Sequence, residues 1–129
     1  MLDHIGFPVS NYPEALAFYK RVLGALGYEL VMEVDAETSG GAAHAGFGRD
    51  GRPHFWITEG TPIVGRLHVA FAAADPTAVD DFYAVAMAAG ATDNGPPGLR
   101  PHYHPNYYGA FVFDLDGHNI EAVCHDAGR

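Results

Sequence analysis

The chain has 129 residues, of which 7 are Lys or Arg and 16 are Asp or Glu, so its formal net charge is −9. This balance argues against a protein that binds nucleic acid and disfavours one that binds acidic lipid surfaces, because both functions need clustered basic residues. The single cysteine, Cys124, excludes disulfide scaffolds and thiolate zinc clusters.

The two halves of the chain repeat each other. A shift of 64 positions aligns the segment from His4 to Phe7 with the segment from His68 to Phe71, and Tyr19 then falls on Tyr83. Two copies are too few for a solenoid, so the repeat predicts a single domain over residues 1–129. Its two modules are about residues 1–59 and about residues 65–126.

Each module opens with a β-like run and a helix-start signal. Asn11 with Glu14 forms a capping box, and Asp75 precedes Pro76 at the first helical position. Apolar residues then recur at helical spacing. The predicted strands are Asp3 to Val9, Glu29 to Val34, Ala43 to Gly48 and His54 to Thr58, and then Arg66 to Ala73, Arg100 to Tyr103, Gly109 to Asp114 and Asn119 to Cys124.

The order of these elements is βαβββ twice, which predicts an α+β fold. Short turns separate the later strands of each module. The dipeptides Asp50-Gly51 and Asp116-Gly117 are typical of β-hairpins, because both tolerate left-handed backbone conformations.

Strand alternation places one histidine among small side chains at the start of each module, on the face away from the helix. These residues are His4 and His68, and Glu121 lies on the last strand. Together they form a candidate 2-His-1-carboxylate metal site with open coordination positions. The alternative is that both histidines are half-buried strand residues and that Glu121 is solvated.

A dense polar segment runs from Arg100 to Tyr108, just before the strands that end at Glu121. Tyr103 and His104 are candidate catalytic donors or proton carriers, and Arg100 is a candidate binder of a substrate carboxylate. The alternative is a proline-stiffened loop whose rings pack on the surface or against a partner subunit.

The other chemistry-bearing residues carry less information. Phe55 and Trp56 are expected to be core or pocket lining, and Cys124 a buried apolar residue. Surface or turn roles are expected for the histidines without a repeat counterpart, which are His44, His102, His118 and His125.

The duplicated modules, His4 and His68 at their starts, and the Asp-x-Asp-Gly-x-x-x-Glu ending from Asp114 to Glu121 resemble the vicinal oxygen chelate superfamily. This superfamily includes glyoxalase I, extradiol dioxygenases, methylmalonyl-CoA epimerase, and fosfomycin- and bleomycin-resistance proteins. The resemblance covers essentially the whole chain. It implies a cupped, mostly antiparallel sheet with helices on the outside, and a divalent metal bound by His4, His68 and Glu121.

The position of a fourth metal ligand differs from the four-ligand pattern of glyoxalase I. One alignment of the modules places Phe55 opposite Glu121 and another places Ile57 there, and neither side chain binds metal. His54 or Glu59 would supply a fourth ligand if the alignment slips. With three ligands, the site is more similar to that of extradiol dioxygenases.

The resemblance therefore implies a metal-dependent enzyme acting on a small molecule with vicinal oxygens. One divalent ion, Fe²⁺, Zn²⁺, Ni²⁺ or Mn²⁺, would support either lyase or isomerase chemistry or ring-cleaving dioxygenase chemistry. The alternatives are a metal-free drug-binding protein of the bleomycin-resistance type and a purely structural ion. We expect a homodimer that binds neither nucleic acid nor membrane, and cytoplasmic localisation, because no signal-peptide pattern is present.

Overall fold

The computed structural model describes residues 1–127, and these residues divide into two compact units that meet in sequence between Gly65 and Arg66. Each unit has its own mixed sheet, so the predicted α+β class with two βαβββ modules is confirmed. No helix in the described part of the chain is both long and apolar enough to cross a membrane.

The first unit holds a four-stranded sheet in the order β1-β4-β3-β2. The β1–β4 pair is parallel, and the other pairs are antiparallel. The elements are β1 (Ile5–Val9), α1 (Tyr12–Gly24), β2 (Glu29–Val34), α2 (Ala36–Ser39), β3 (His44–Arg49) and β4 (Arg52–Glu59).

Helix α1 begins at the predicted cap. The side chain of Asn11 accepts a hydrogen bond of 3.2 Å from the backbone N–H of Glu14, which satisfies one of the unpaired groups of the first turn. The buried stripe of α1 packs on one face of the sheet, where the ring of Tyr19 contacts Phe7 and Phe55. The opposite face of the sheet is thereby left for other contacts.

The β3–β4 hairpin has two irregular features. Asp50 and Gly51 both have positive φ, 53° and 72°, as the Asp-Gly dipeptide predicts. Next to this turn, Phe47 pairs with Phe55 while its neighbour Gly48 pairs with Pro53, so His54 is an extra residue in a β-bulge.

The second unit has a five-stranded sheet in the order β5-β9-β8-β6, with β7 also paired to β8. Asp75 caps the helix as predicted, accepting a 2.8 Å hydrogen bond from the N–H of Ala78. The elements are β5 (His68–Ala72), α3 (Pro76–Ala88), β6 (Thr92–Asp93), β7 (Gly98–Leu99), β8 (Tyr108–Phe113) and β9 (Asn119–Cys124).

One predicted strand is wrong. Residues 100–103 form a turn, and the short strands β6 and β7 precede them. Pro101 has no N–H to give to a ladder, and Tyr103 N–H closes the turn on the carbonyl of Arg100. Helix α2 was not predicted either, because its four residues are too few to show a helical period.

The connection between β8 and β9 is organised by a buried carboxylate. Asp114, 6% exposed, accepts hydrogen bonds from the N–H groups of Asp116 and His118. His118 has the expected turn position, but it is 3% exposed and therefore lies in the interior rather than at the surface. This turn fixes where β9 begins and hence which way Glu121 faces.

The close packing at the bulge gives a test of the fold. A Cβ added to Gly48 would lie 1.8 Å from the carbonyl oxygen of Arg52, whereas one added to Gly24 at the end of α1 would meet nothing within 4 Å. We expect Gly48→Ala to lower the free energy of unfolding by about 3 kcal/mol, measured by urea denaturation. Gly24→Ala is the control, and equal stability of the two variants would contradict the bulge.

Candidate functional site

The second unit contains a buried carboxylate beside a histidine. Glu121 lies in β9 with a side chain only 2% exposed, and Ala70 of β5 pairs with it in parallel register. Its Oε1 lies 2.8 Å from Nε2 of His68, whose side chain is 50% exposed. Strand parity predicted that these two residues share a face, and the hydrogen bond confirms it.

The other oxygen of the carboxylate is bound by a tyrosine. The hydroxyl of Tyr107, the residue before β8, donates a hydrogen bond to Oε2 of Glu121. Burial raises the pKa of Tyr107 well above its ordinary value, and the hydrogen bond to the carboxylate raises it further. Tyr107 therefore stays protonated at neutral pH and holds one oxygen of Glu121 in place.

The ring of Tyr107 is packed by its neighbours. Tyr103, His104 and His125 all contact it edge-on, with ring centroids 4.9, 5.5 and 5.3 Å away. His104 accepts at Nδ1 from the N–H of Asn106, so in its neutral form Nε2 carries the proton and donates to Nδ1 of His125. Two of the predicted catalytic residues thus support Tyr107.

Arg100 stiffens the same loop. Its guanidinium donates to the carbonyls of Gly98 and Pro96, at 2.8 and 2.7 Å, and lies over the ring of Phe111. These contacts fit the interpretation of residues 100–108 as a stiffened loop whose rings pack on their surroundings. A catalytic role for Arg100, Tyr103 or His104 stays a prediction.

In the first unit, His4 stands just before β1, and its side chain is 61% exposed. Its Nδ1 lies 2.8 Å from Oδ2 of Asp3, a carboxylate that only accepts, so Nδ1 carries the proton and, in the neutral ring, Nε2 keeps its lone pair. The hydrogen bond from His4 and its charge, followed by the charges of His54 and Arg52, hold the pKa of Asp3 below its usual range.

A groove lies on the face of the first sheet away from α1. One part has a volume of about 440 Å³ and is lined by Asp3, His4 and residues 51–54 and 56. An adjoining part of about 330 Å³ is lined by His4, Trp56, His44 and their neighbours. Trp56 is thus pocket lining and Phe55, 3% exposed, is core, as expected.

The register of the strands decides which residue replaces the fourth ligand. Ala70, two residues after His68, pairs with Glu121, and Gly6, two residues after His4, pairs with Trp56. Trp56 therefore takes the position of Glu121 in the first unit. The sequence alignments that placed Phe55 or Ile57 there are each wrong by one residue.

Within residues 1–127, no three His, Cys, Asp or Glu side chains come together as a ready group of metal ligands. The structure joins two predicted ligands, His68 and Glu121, and adds Tyr107, which was not predicted. The described contacts of His4 are with Asp3.

The model of the glyoxalase/bleomycin resistance protein/dioxygenase superfamily matches residues 1–122 of this sequence. The chain belongs to that superfamily. This range includes both repeat histidines and the Asp-x-Asp-Gly-x-x-x-Glu ending.

Solved structures of the superfamily have the same fold. A glyoxalase/bleomycin resistance protein from Albidiferax ferrireducens T118 is 28% identical, with a TM-score of 0.76 over 95% of this chain and 97% of that chain. The fosfomycin resistance protein FosX from Listeria monocytogenes, solved with Mn(II) and sulfate, is 21% identical, with a TM-score of 0.68 over 100% and 93%. A glyoxalase I mutant from Zea mays is 19% identical, with a TM-score of 0.70 over 98% of this chain and 45% of that chain. A comparison with curated protein sequences finds no match.

Sequence reasoning missed two parts of the site in this superfamily member. Tyr107 was included in the polar segment but not chosen, because nothing local distinguishes it from Tyr103 or Tyr108. His44 was set aside for want of a repeat counterpart, yet its ring lies 5.6 Å from that of Trp56 in the groove. Only cross-strand pairing of β3 with β4 brings these two rings together.

The bond from Tyr107 to Glu121 gives a second test. Tyr107→Phe leaves one oxygen of a buried carboxylate without its donor, so we expect it to lower the free energy of unfolding by about 2 kcal/mol, measured by urea denaturation. Tyr103→Phe is the matched control, because that side chain is 56% exposed. Equal effects of the two substitutions would contradict the role given to Tyr107.

Proposed function

We propose that the protein is a metal-dependent enzyme that acts on a small molecule with vicinal oxygens. His68 and Glu121 are proposed as two ligands of one divalent ion, and His4 as the third. The observation that carries the proposal is the buried carboxylate of Glu121, whose Oε1 faces the Nε2 of His68.

The donor atoms of the second unit fit a metal ion. Two ligands at right angles on bonds of about 2.1 Å lie about 3 Å apart, close to the 2.8 Å between Oε1 and Nε2. A buried carboxylate also needs positive charge or hydrogen bonds to offset its desolvation. In the described part of the chain, neither Lys nor Arg pairs with Glu121, so a cation fits this position.

The neighbours of the proposed ligands fit the same interpretation. Tyr107 holds Oε2 of Glu121 and leaves Oε1 available, and Asp3 holds Nδ1 of His4 and leaves Nε2 available. Hydrogen bonds of this kind orient metal ligands and fix histidine tautomers. Each unit thus supports its ligand with a neighbouring polar group.

A divalent ion bound here would polarise substrate oxygens and stabilise the negative charge that develops on them. Three protein ligands leave coordination positions open, whereas structural zinc sites usually close four. Trp56 stands where a fourth ligand would be, and an indole does not coordinate metal. The proposed catalytic donors near the site are Tyr103 and His104. Arg100 is a proposed substrate anchor only through the N–H groups that its bonds to the Pro96 and Gly98 carbonyls leave unused.

Two reaction classes share this ligand set. A lyase or isomerase would use Zn²⁺, Ni²⁺ or Mn²⁺ to acidify a proton next to a carbonyl, while a ring-cleaving dioxygenase would use Fe²⁺ with a diol and dioxygen. The identity of the metal in the purified protein would distinguish these two reaction classes. Elemental analysis is therefore the first experiment.

We expect protein purified without chelator or affinity-tag metal to contain about one equivalent of a divalent ion. His68→Ala, Glu121→Ala and His4→Ala each remove a proposed ligand and should weaken metal binding at least about tenfold, measured by elemental analysis and metal titration. His102→Ala, at an exposed position, is the control and should retain the metal. Wild-type protein that stays metal-free after reconstitution would contradict the proposal.

A second candidate is a metal-free protein that sequesters a small drug. The net charge of −9 favours this candidate for a cationic drug. It predicts that binding of a cationic ligand survives Glu121→Gln, because no metal is needed. A metal-dependent enzyme would instead lose its metal in that variant.

The proposal includes a homodimer, as expected from the resemblance. Sedimentation would then give a mass of twice the 13.8 kDa of one chain. Mixing His4→Ala with Glu121→Ala protein tells whether the ligands come from one chain or two. Restored metal binding assigns them to two copies, and its absence assigns them to one chain.

A further inference from the structure

The groove of the first unit combines a cation with an aromatic surface. Arg52, His54 and Trp56, all from β4, line its larger part, together with His4 and Asp3. Regular strand alternation places these three residues of β4 on the same face, because they are two positions apart. The β-bulge adds Pro53 to the lining of the groove.

Arg52 differs from two other arginines in its contacts. Arg49 donates to the carbonyls of Leu26 and Gly27, and Arg100 to those of Pro96 and Gly98. Over residues 1–127, the guanidinium of Arg52 has neither a hydrogen-bond partner nor an ion pair. It is therefore available to a ligand, and a guanidinium matches the geometry of carboxylate and phosphate.

The indole of Trp56 packs closely on β3 at Gly46. A Cβ at Gly46 would lie 2.8 Å from Cβ of Pro53 and 2.9 Å from two ring atoms of the indole, so glycine is needed for this packing. Trp56 is half-buried, and the ring of His44 lies beside it with centroids 5.6 Å apart. The part of the indole that lines the groove is a surface for a planar apolar group.

We propose that this groove binds an aromatic anion, with its ring against Trp56 and its carboxylate or phosphonate on Arg52. That this compound is the substrate rests on the proposed function, because His4 lines the same groove and is a proposed metal ligand. The substrate class would then be an aromatic acid that carries vicinal oxygens. This recognition gives a strongly acidic protein a local site for an acidic ligand.

The other polar groups of the groove define the role of Arg52. Nδ1 of His54 donates to the backbone carbonyl of Asp3 at 2.8 Å, so a neutral His54 has no second proton to offer an anion. The carboxylate of Asp3 accepts a hydrogen bond from His4 and interacts with the charge of Arg52, so it opposes a bound anion. Arg52 is therefore the principal donor, and neutralising Asp3 should strengthen anion binding.

Trp56 is the sole tryptophan in the sequence, so its fluorescence reports on the groove directly. Metal-stripped protein is titrated with benzoate and with benzamide, which has the same ring but no charge. We expect saturable quenching by benzoate at a concentration about tenfold lower than by benzamide. Equal affinity for the two probes, or no quenching by either, would overturn the proposal.

Variants locate the anion. Arg52→Gln should weaken benzoate binding about tenfold and leave benzamide unchanged, while Asp3→Asn should strengthen benzoate binding about threefold. Arg21→Gln is the matched control, because it removes the same charge from an exposed position on α1. If Arg52→Gln has no larger effect than Arg21→Gln, the anion does not bind at Arg52 and the proposal fails.

Measurements on the metal-stripped protein separate this proposal from the proposed function. If the protein never takes up metal but binds benzoate in a way that depends on Arg52, the proposed enzyme function is contradicted and the proposed anion site in the groove is supported. If the protein binds one metal ion but shows no Arg52-dependent benzoate binding, the proposed enzyme function is supported and the proposed anion site is contradicted. Metal content is measured on the same samples.

Discussion

A carboxylate buried within a sheet has to be compensated where it lies, because its desolvation costs several kcal/mol when nothing pairs with it. Glu121 is in this position, and its two oxygens are bound by different groups. His68 lies at Oε1 and Tyr107 at Oε2. The course of the 100–108 loop, the turn at Asp114 and the pairing of β5 with β9 all act to keep these contacts in place.

The loop before β8 shows how this compensation organises its surroundings. The ring of Tyr107, whose hydroxyl donates to Glu121, is packed by Tyr103, His104 and His125. Arg100 fixes the start of the loop on its own backbone carbonyls. Arg100, Tyr103 and His104, which the sequence suggests as catalytic residues, thus stabilise the loop that holds Tyr107. This structural role is compatible with the catalytic roles proposed for them.

The two units use one strand plan for different purposes. Each unit pairs its first strand in parallel with its last. In both units, one residue of the last strand pairs with the residue that follows the repeat histidine by two positions. In the second unit that residue is Glu121, buried and polar. In the first it is Trp56, whose indole lies over Gly46 and faces a groove lined by Arg52. Duplication therefore preserved the scaffold, while one half became a candidate ligand site and the other a candidate binding surface.

The sequence by itself determined the α+β class, the two repeated modules, the capped helices and the shared face of His68 and Glu121. These properties follow from local periodicity, capping residues and strand parity, which short stretches of chain express on their own. Only the tertiary structure decided that Tyr107 binds Glu121, that residues 100–103 turn instead of forming a strand, and that Trp56 is the counterpart of Glu121. The turn depends on Pro101 and a local hydrogen bond. The other two depend on which residues pair across strands, and a single bulged residue such as His54 changes the face of the side chains beyond it.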